Sequence, residues 1–132
     1  MQILVPTAGS EPDSANAAYV VGVARSLGAG LLVLHVRQAS DPEADWMATA
    51  AAFEEAAADS GVSVDALQKV AADTHDRGEE IALAIAAVAA EGHCVLIVMG
   101  ASPQAKLSGW VSGRVREAST VPVVVVPGER DA

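Results

Sequence analysis

Five short apolar runs, separated by segments with helical periodicity, constrain the fold of this chain more than any other feature. The second run, Leu31–Val36, is apolar at almost every position, as in strands of a parallel sheet that is covered on both faces. Strand and helix signals alternate as βαβαβαβαβ, which predicts an α/β fold with right-handed crossovers. The strands are expected at 2–5, 31–36, 64–70, 95–99 and 121–126.

The helical segments carry recognisable start and stop signals. Ser14 is a plausible N-cap of the first helix, and Gly28 begins the turn that ends it. The other helices are expected over 43–60, 79–91 and about 109–118. Apolar residues at helical spacing predict the core-facing stripes: Tyr19, Val20, Val23 and Leu27; Trp46, Ala50, Phe53 and Ala57; Ile81, Leu83, Ile85 and Val88.

The third run is the least regular strand. Gln68 and Lys69 interrupt it, and polar residues of this kind are typical of a strand at the edge of a sheet. The last strand, Val121–Val126, is apolar on both faces and is bracketed by Pro122 and Pro127. It is expected at the other edge, either covered by the protein's own helices or paired with a second copy.

Composition excludes several classes of function. The chain has 132 residues, which favours one domain over 1–132, and its formal net charge is −9 with only eight Lys and Arg. Binding to nucleic acid or to an anionic membrane is therefore not expected. No apolar run reaches the length of a membrane span, and no signal peptide precedes the first strand. The single cysteine, Cys94, allows no internal disulfide, so a cytoplasmic location is expected.

Two turn-rich loops are the best physical pointer to a site. In open parallel sheets, ligands bind beyond the carboxyl ends of the strands, where the strand order reverses. If the first and fourth strands are neighbours, the loops at that point are 7–13 and 100–109. Residues 7–10 could offer N–H groups to an anion, or they could merely cap the following helix.

The sequence resembles the universal stress protein family over essentially its whole length. The resemblance rests on four stretches in order: Ile3–Pro6 followed by Ser10 and Glu11, Ala24–Val36, Leu96–Gly100, and Val121–Pro127. It implies a Rossmann-like (HUP-type) single domain whose five-stranded parallel sheet has the order 3-2-1-4-5. It also implies a non-enzymatic role in the stress response, with no catalytic residues and no metal site.

Members of one branch of this family bind ATP through a glycine motif, and this chain departs from that motif. The pattern falls on Gly100, Pro103, Gly113 and Arg114, where the family has glycine at the second position and a hydroxyl residue at the last. Proline has no N–H to donate, whereas Arg114 could replace the hydroxyl with a charged contact. Ala8 stands where the family has an acidic residue near the adenine. The resemblance implies this pocket: Thr7, Ala8, Val36, Gly100, Ser102, Gly113 and Arg114.

Other chemistry-bearing residues lack the partners that a site needs. Lys106 follows a glycine loop, but Leu107 replaces the Mg²⁺-binding hydroxyl of a P-loop. The histidines at 35, 75 and 93 have no metal-ligand spacing, although His35 ends a strand near the expected cleft. No serine has an identifiable general base beside it. Cys94 opens a buried strand and is expected to serve packing alone.

Three functions are compatible with these residues. The first is a regulatory binding module with a degraded nucleotide site, and the second is a nucleotide-binding member that uses Arg114, with ATP as a possible cofactor. The third is an interaction domain that regulates a membrane transporter or sensor kinase. The family's habit also implies a homodimer through the last strand, with this edge: Val121, Val123, Val124, Val125 and Val126.

Overall fold

A computed structural model describes residues 1–7, 16–38, 46–71, 77–101 and 113–127 of the chain. The elements alternate as the sequence predicts. In chain order they are β1 (Gln2–Thr7), α1 (Ala17–Leu27), β2 (Gly30–Gln38), α2 (Trp46–Ala57), β3 (Val64–Ala71), α3 (Arg77–Glu91), β4 (Cys94–Ala101), α4 (113–118) and β5 (Val123–Pro127).

The five strands form one parallel sheet in the order β3-β2-β1-β4-β5, which confirms the predicted fold class and strand order. β3 lies at one edge and β5 at the other, also as predicted. β1 continues through Pro6, although the sequence analysis ended it at Val5. Proline has no N–H to donate to a neighbouring strand. It is tolerated there because the pairing of β1 with β4 runs only from Gln2 to Leu4, so the hydrogen-bond ladder between these two strands ends before Pro6.

Two core clusters lie on opposite faces of the sheet. Side chains alternate along β2, so that Leu31 and Val33 join the cluster under α1 and α2, whereas Leu34 joins the cluster under α3 and α4. Phe53 of α2 and Ile85 of α3 are the largest helical side chains in the two clusters, and both are 1% exposed. This covering on both faces explains why the central strands are apolar at nearly every position.

The buried face of α1 differs from the predicted stripe. Tyr19 and Leu27 are 59% and 49% exposed, and the face against the sheet is formed mainly by small residues. Leu83 of α3 is likewise 50% exposed. Alanine allows a helix backbone to approach the sheet closely, so the small side chains, and not the largest ones, point inward. The buried residues of α1 are Ala17, Val20, Val21 and Ala24.

The predicted buried stripe of α2 and the predicted end of α1 are confirmed for the residues that the structure describes. Ala50, Phe53 and Ala57 of α2 are buried as predicted, and Glu54 and Glu55 are exposed. Gly28 ends α1 in the left-handed conformation with φ of 66°. The proposed N-cap Ser14, residues 43–45 and residues 109–112 lie outside the described part of the chain.

The last strand begins later than predicted, and this removes Val121 from the expected dimer edge. The Val121 N–H donates to Ser119 Oγ at 2.9 Å, so it belongs to the turn before the strand. The Val121 side chain is partly buried against the cluster under α3 and α4. Pro122 then supplies its carbonyl to the N–H of Ile97 at 2.9 Å, and the ladder with β4 continues from Val123. Within the described residues, no helix is long and apolar enough to span a membrane.

Candidate functional site

The strand order reverses between β1 and β4. The chain proceeds outward from β1 to β2 and β3, and then crosses to β4 and β5 on the other side of β1. The carboxyl ends of β1 and β4, at Thr7 and Ala101, therefore lie beside each other at the switch point where parallel sheets bind ligands. The predicted pocket residues Ala8 and Ser102 follow these ends directly and lie outside the described residues, as do Pro103 and Lys106.

Thr7 links β1 to β2 at this edge. It is 8% exposed, and its hydroxyl donates to the Leu34 carbonyl at 3.4 Å. The imidazole of His35 lies 3.3 Å from the Thr7 carbonyl through its Nδ1 atom, and His35 is 4% exposed. A carbonyl oxygen only accepts, so Nδ1 carries the proton in this hydrogen bond. The side chains of both residues therefore brace the ends of two neighbouring strands beneath the expected cleft.

The face of the sheet that α1 and α2 cover becomes polar toward the carboxyl ends of the strands. Leu31 and Val33 lie in the apolar cluster, and the next two positions on that face of β2 are His35 and Arg37. His35 pairs in register with Gln68 of β3, and Thr49 of α2 is buried at 2% exposure. Apart from His35, these polar positions were not singled out from the sequence as candidate site residues, because they come from three different elements.

Val36 lies near the end of β2 with 9% exposure, and its side chain belongs to the core cluster under α3 and α4. Gly100 lies in β4 and pairs in register with Val126 of β5. Both residues thus lie on strands that end at the same edge as Thr7. The role of Val36 beside an adenine and that of Gly100 in the glycine motif stay predictions.

Gly113 begins the described part of α4. A Cβ added at this residue would meet no heavy atom within 4 Å, and its φ lies outside the left-handed region. No packing contact in the described part of the chain therefore requires glycine at this position. The role of Gly113 in a glycine motif stays a prediction.

Arg114 is the predicted pocket residue with the most informative contact. Its Nη1 atom lies 3.9 Å from Oε2 of Glu79, which belongs to the first turn of α3. The side chains are 29% and 57% exposed, respectively, so both charges remain in contact with solvent. Val115, the next residue, is fully buried against the cluster under α3, and this fixes α4 relative to that helix. Glu79 was not predicted as a site residue, because 35 positions separate it from Arg114 and nothing in the sequence around either residue joins them.

Of the other candidate residues, the structure describes Cys94 in most detail. Cys94 is 6% exposed, and burial raises the pKa of its thiol, which agrees with the expected packing role. Among the described residues, no group of three or more His, Cys, Asp or Glu side chains could hold a metal ion. His75, Ser10, Ser108 and Trp110 lie outside the described residues.

Comparison with known proteins bears on this arrangement. No curated protein matches the chain. Among solved structures, a universal stress protein in complex with cAMP is 19% identical with a TM-score of 0.72, and the match covers 98% of each chain. A universal stress protein from Archaeoglobus fulgidus is 20% identical with a TM-score of 0.68 over 95% of this chain and 97% of that one. A structure of a universal stress protein from the same organism in complex with dAMP is 18% identical with a TM-score of 0.67, and the match covers 95% of this chain and 96% of that one.

These similarities show the fold, since the identities are too low to carry more. The match to a family model is stronger evidence of kinship, because it aligns residues 1–127 with the description "Universal stress protein family". It includes all four stretches on which the resemblance in the sequence rests. This chain belongs to the universal stress protein family.

Proposed function

We propose that this chain is a cytoplasmic, non-enzymatic regulatory module of the universal stress class, with a degraded adenine-nucleotide site. The observation that carries the proposal is the pairing of Arg114 with Glu79 at 3.9 Å. Arg114 occupies the position where ATP-binding members have a hydroxyl that contacts phosphate. Its charge is already partly compensated by a carboxylate of the protein itself, so a phosphate gains less from it.

Two departures in the sequence support the same proposal. Pro103 stands at the second glycine of the motif, where it has no N–H to offer to a phosphate. Ala8 stands at the acidic position after β1, where a methyl group cannot accept a hydrogen bond from ribose or adenine. A ligand in the manner of the ATP-binding branch would therefore lose contacts at both of its ends.

The purified protein tests the proposal directly. Mass spectrometry and ultraviolet absorbance of the denatured protein should reveal no co-purified adenine nucleotide, and calorimetry with ATP and Mg²⁺ should give no heat of binding. Co-purified nucleotide, or binding in the micromolar range, would overturn the degraded site.

A nucleotide-binding role is the second candidate, and specific observations favour it. Two of the similar structures are complexes with cAMP and dAMP. In this chain the guanidinium of Arg114 could contact a phosphate through charge-assisted hydrogen bonds. Under this alternative, micromolar binding is lost in Arg114→Ala and retained in Arg116→Ala, an exposed arginine of the same helix.

We also propose a homodimer through β5. The other edge strand, β3, exposes the charged residues Asp65 and Lys69, which discourage pairing with another chain. β5 carries no charge, and its Val124 is 41% exposed. An uncharged edge whose backbone groups have no neighbouring strand within the described residues favours pairing with a second copy.

A membrane transporter or a sensor kinase is the partner class that the resemblance suggests for such a module. A pull-down from cell extract with the tagged full chain should retain a protein of that class. Recovery of the chain alone would count against this part of the proposal.

A further inference from the structure

The ion pair between Arg114 of α4 and Glu79 of α3 lies at the edge of the sheet where a ligand is expected. Glu79 lies in the first turn of α3, the helix that follows β3, and such helix starts lie at the carboxyl edge of a parallel sheet. Arg114 of α4 contacts Glu79 there. The pair is therefore at the same edge as Thr7 and the end of β4. An anion that contacted the guanidinium of Arg114 would therefore also lie close to the carboxylate of Glu79.

The geometry of the pair is that of a contact which a ligand can displace. The distance of 3.9 Å between Nη1 and Oε2 exceeds the 2.7–2.9 Å of a charge-assisted hydrogen bond. Glu79 is 57% exposed, and an ion pair of such exposure is weak because solvent screens it. A phosphate group can instead form two parallel hydrogen bonds with a guanidinium, which is a stronger arrangement.

Packing holds the two helices that carry the Arg114–Glu79 pair. Val115 is fully buried, and Ala82 and Ile85 of α3 are 1% exposed in the same cluster. The backbone at Arg114 and the first turns of α3 are thus held by packing, while the two charged side chains remain solvated.

We propose that Glu79 is an affinity-determining residue that occupies Arg114 in place of a ligand phosphate. The inference rests on the proposed function, because it takes Arg114 to lie where the phosphate of a nucleotide would bind. Glu79 acts through its charge: it partly compensates the charge of the guanidinium in the unliganded protein and repels an incoming anion. The ligand class is a phosphate-bearing anion, and removal of this one carboxylate should strengthen its binding.

Glu79→Gln tests the proposal with inorganic pyrophosphate as the probe. Arginine side-chain NMR signals report the titration even when binding is in the millimolar range, and the signal lost in Arg114→Gln identifies Arg114. Glu79→Gln should lower the dissociation constant of pyrophosphate about two- to fivefold, in proportion to the strength of an exposed ion pair. Glu91→Gln is the matched control, since it removes an equal charge at the exposed opposite end of α3.

The double variant separates a local pairing from a general change of charge. In an Arg114→Gln background, Glu79→Gln should leave pyrophosphate binding unchanged. The inference is overturned if Glu79→Gln behaves like Glu91→Gln, if its effect persists without Arg114, or if pyrophosphate never perturbs the Arg114 signal.

A different result would contradict the proposed function. Adenine nucleotide that co-purifies with the unmodified chain would overturn the degraded site. The ratio of the pyrophosphate dissociation constants of Glu79→Gln and the unmodified chain would still decide the role of Glu79.

Discussion

Burial determines the chemistry of Cys94, the one cysteine of the chain. It begins β4 with 6% exposure and packs in the cluster under α3. Burial raises the pKa of the Cys94 thiol, because the thiolate is poorly solvated there. At neutral pH the thiol is therefore protonated, and a protonated thiol is a poor nucleophile.

Labelling with a thiol reagent should be slow in the native protein and fast after unfolding. The raised pKa also favours the folded state below the pKa of the unfolded thiol, and this contribution is lost as the pH rises through the folded pKa. Denaturant titrations should thus show a loss of stability at alkaline pH that is smaller in Cys94→Ala. Equal labelling rates for native and denatured protein would contradict the burial of this side chain.

At the scale of the element, α1 and its C-cap contain two glycines that have opposite effects on stability. Gly28 ends the helix with φ of 66°, a conformation in which glycine avoids the steric cost that other residues meet. Gly22 lies inside the same helix and is exposed, and a Cβ added there would meet no atom of another element in the described part of the chain within 4 Å. It gains nothing from lacking a side chain, so it only weakens the helix.

Substitution of each glycine by alanine should therefore change stability in opposite directions. Gly22→Ala should raise the free energy of unfolding by about 0.5–1 kcal/mol, the usual difference between alanine and glycine inside a helix. Gly28→Ala should lower it by about 1–2 kcal/mol, the cost of the left-handed conformation. Urea titration monitored by circular dichroism measures both, and a change of the same sign in both variants would contradict this account of α1.

At the scale of the whole molecule, the sheet has two edges with different chemistry. β3 carries Asp65 and Lys69 on exposed positions, whereas β5 is a run of valines that ends at Pro127. The turn that holds Val121 shortens this second edge to the residues after Pro122. A symmetric pairing through β5 would thus be short and apolar, with Val124 among its side chains.

Val124→Lys should convert the proposed dimer to a monomer, because it places a charge on the edge that would pair. Val95→Lys is the matched control: both valines are 41% exposed, but Val95 lies on β4, which is not an edge strand. Light scattering at high micromolar protein concentration distinguishes the two states. A monomeric unmodified chain under those conditions would rule out the dimer.

The sequence by itself determined the α/β class and the alternating order of elements. It did so because central strands that are covered on both faces must be apolar throughout, and the Leu31–Val36 run satisfies this locally. Gln68 and Lys69 placed β3 at an edge, and Gly28 ended α1, again by rules that concern neighbouring residues. The turn-rich loops 7–13 and 100–109 likewise pointed to the edge where β1 and β4 end, although most of both loops lies outside the described residues.

Only the tertiary structure decided which side chains are buried and which charges meet. Periodicity shows that Tyr19, Leu27 and Leu83 lie on helices, but the rotation of each helix on the sheet exposes them and buries alanines. The contact of Arg114 with Glu79, and that of His35 with Thr7, join residues far apart in the chain. Such pairs arise from the strand order and the packing of helices, and a local pattern carries no information about either.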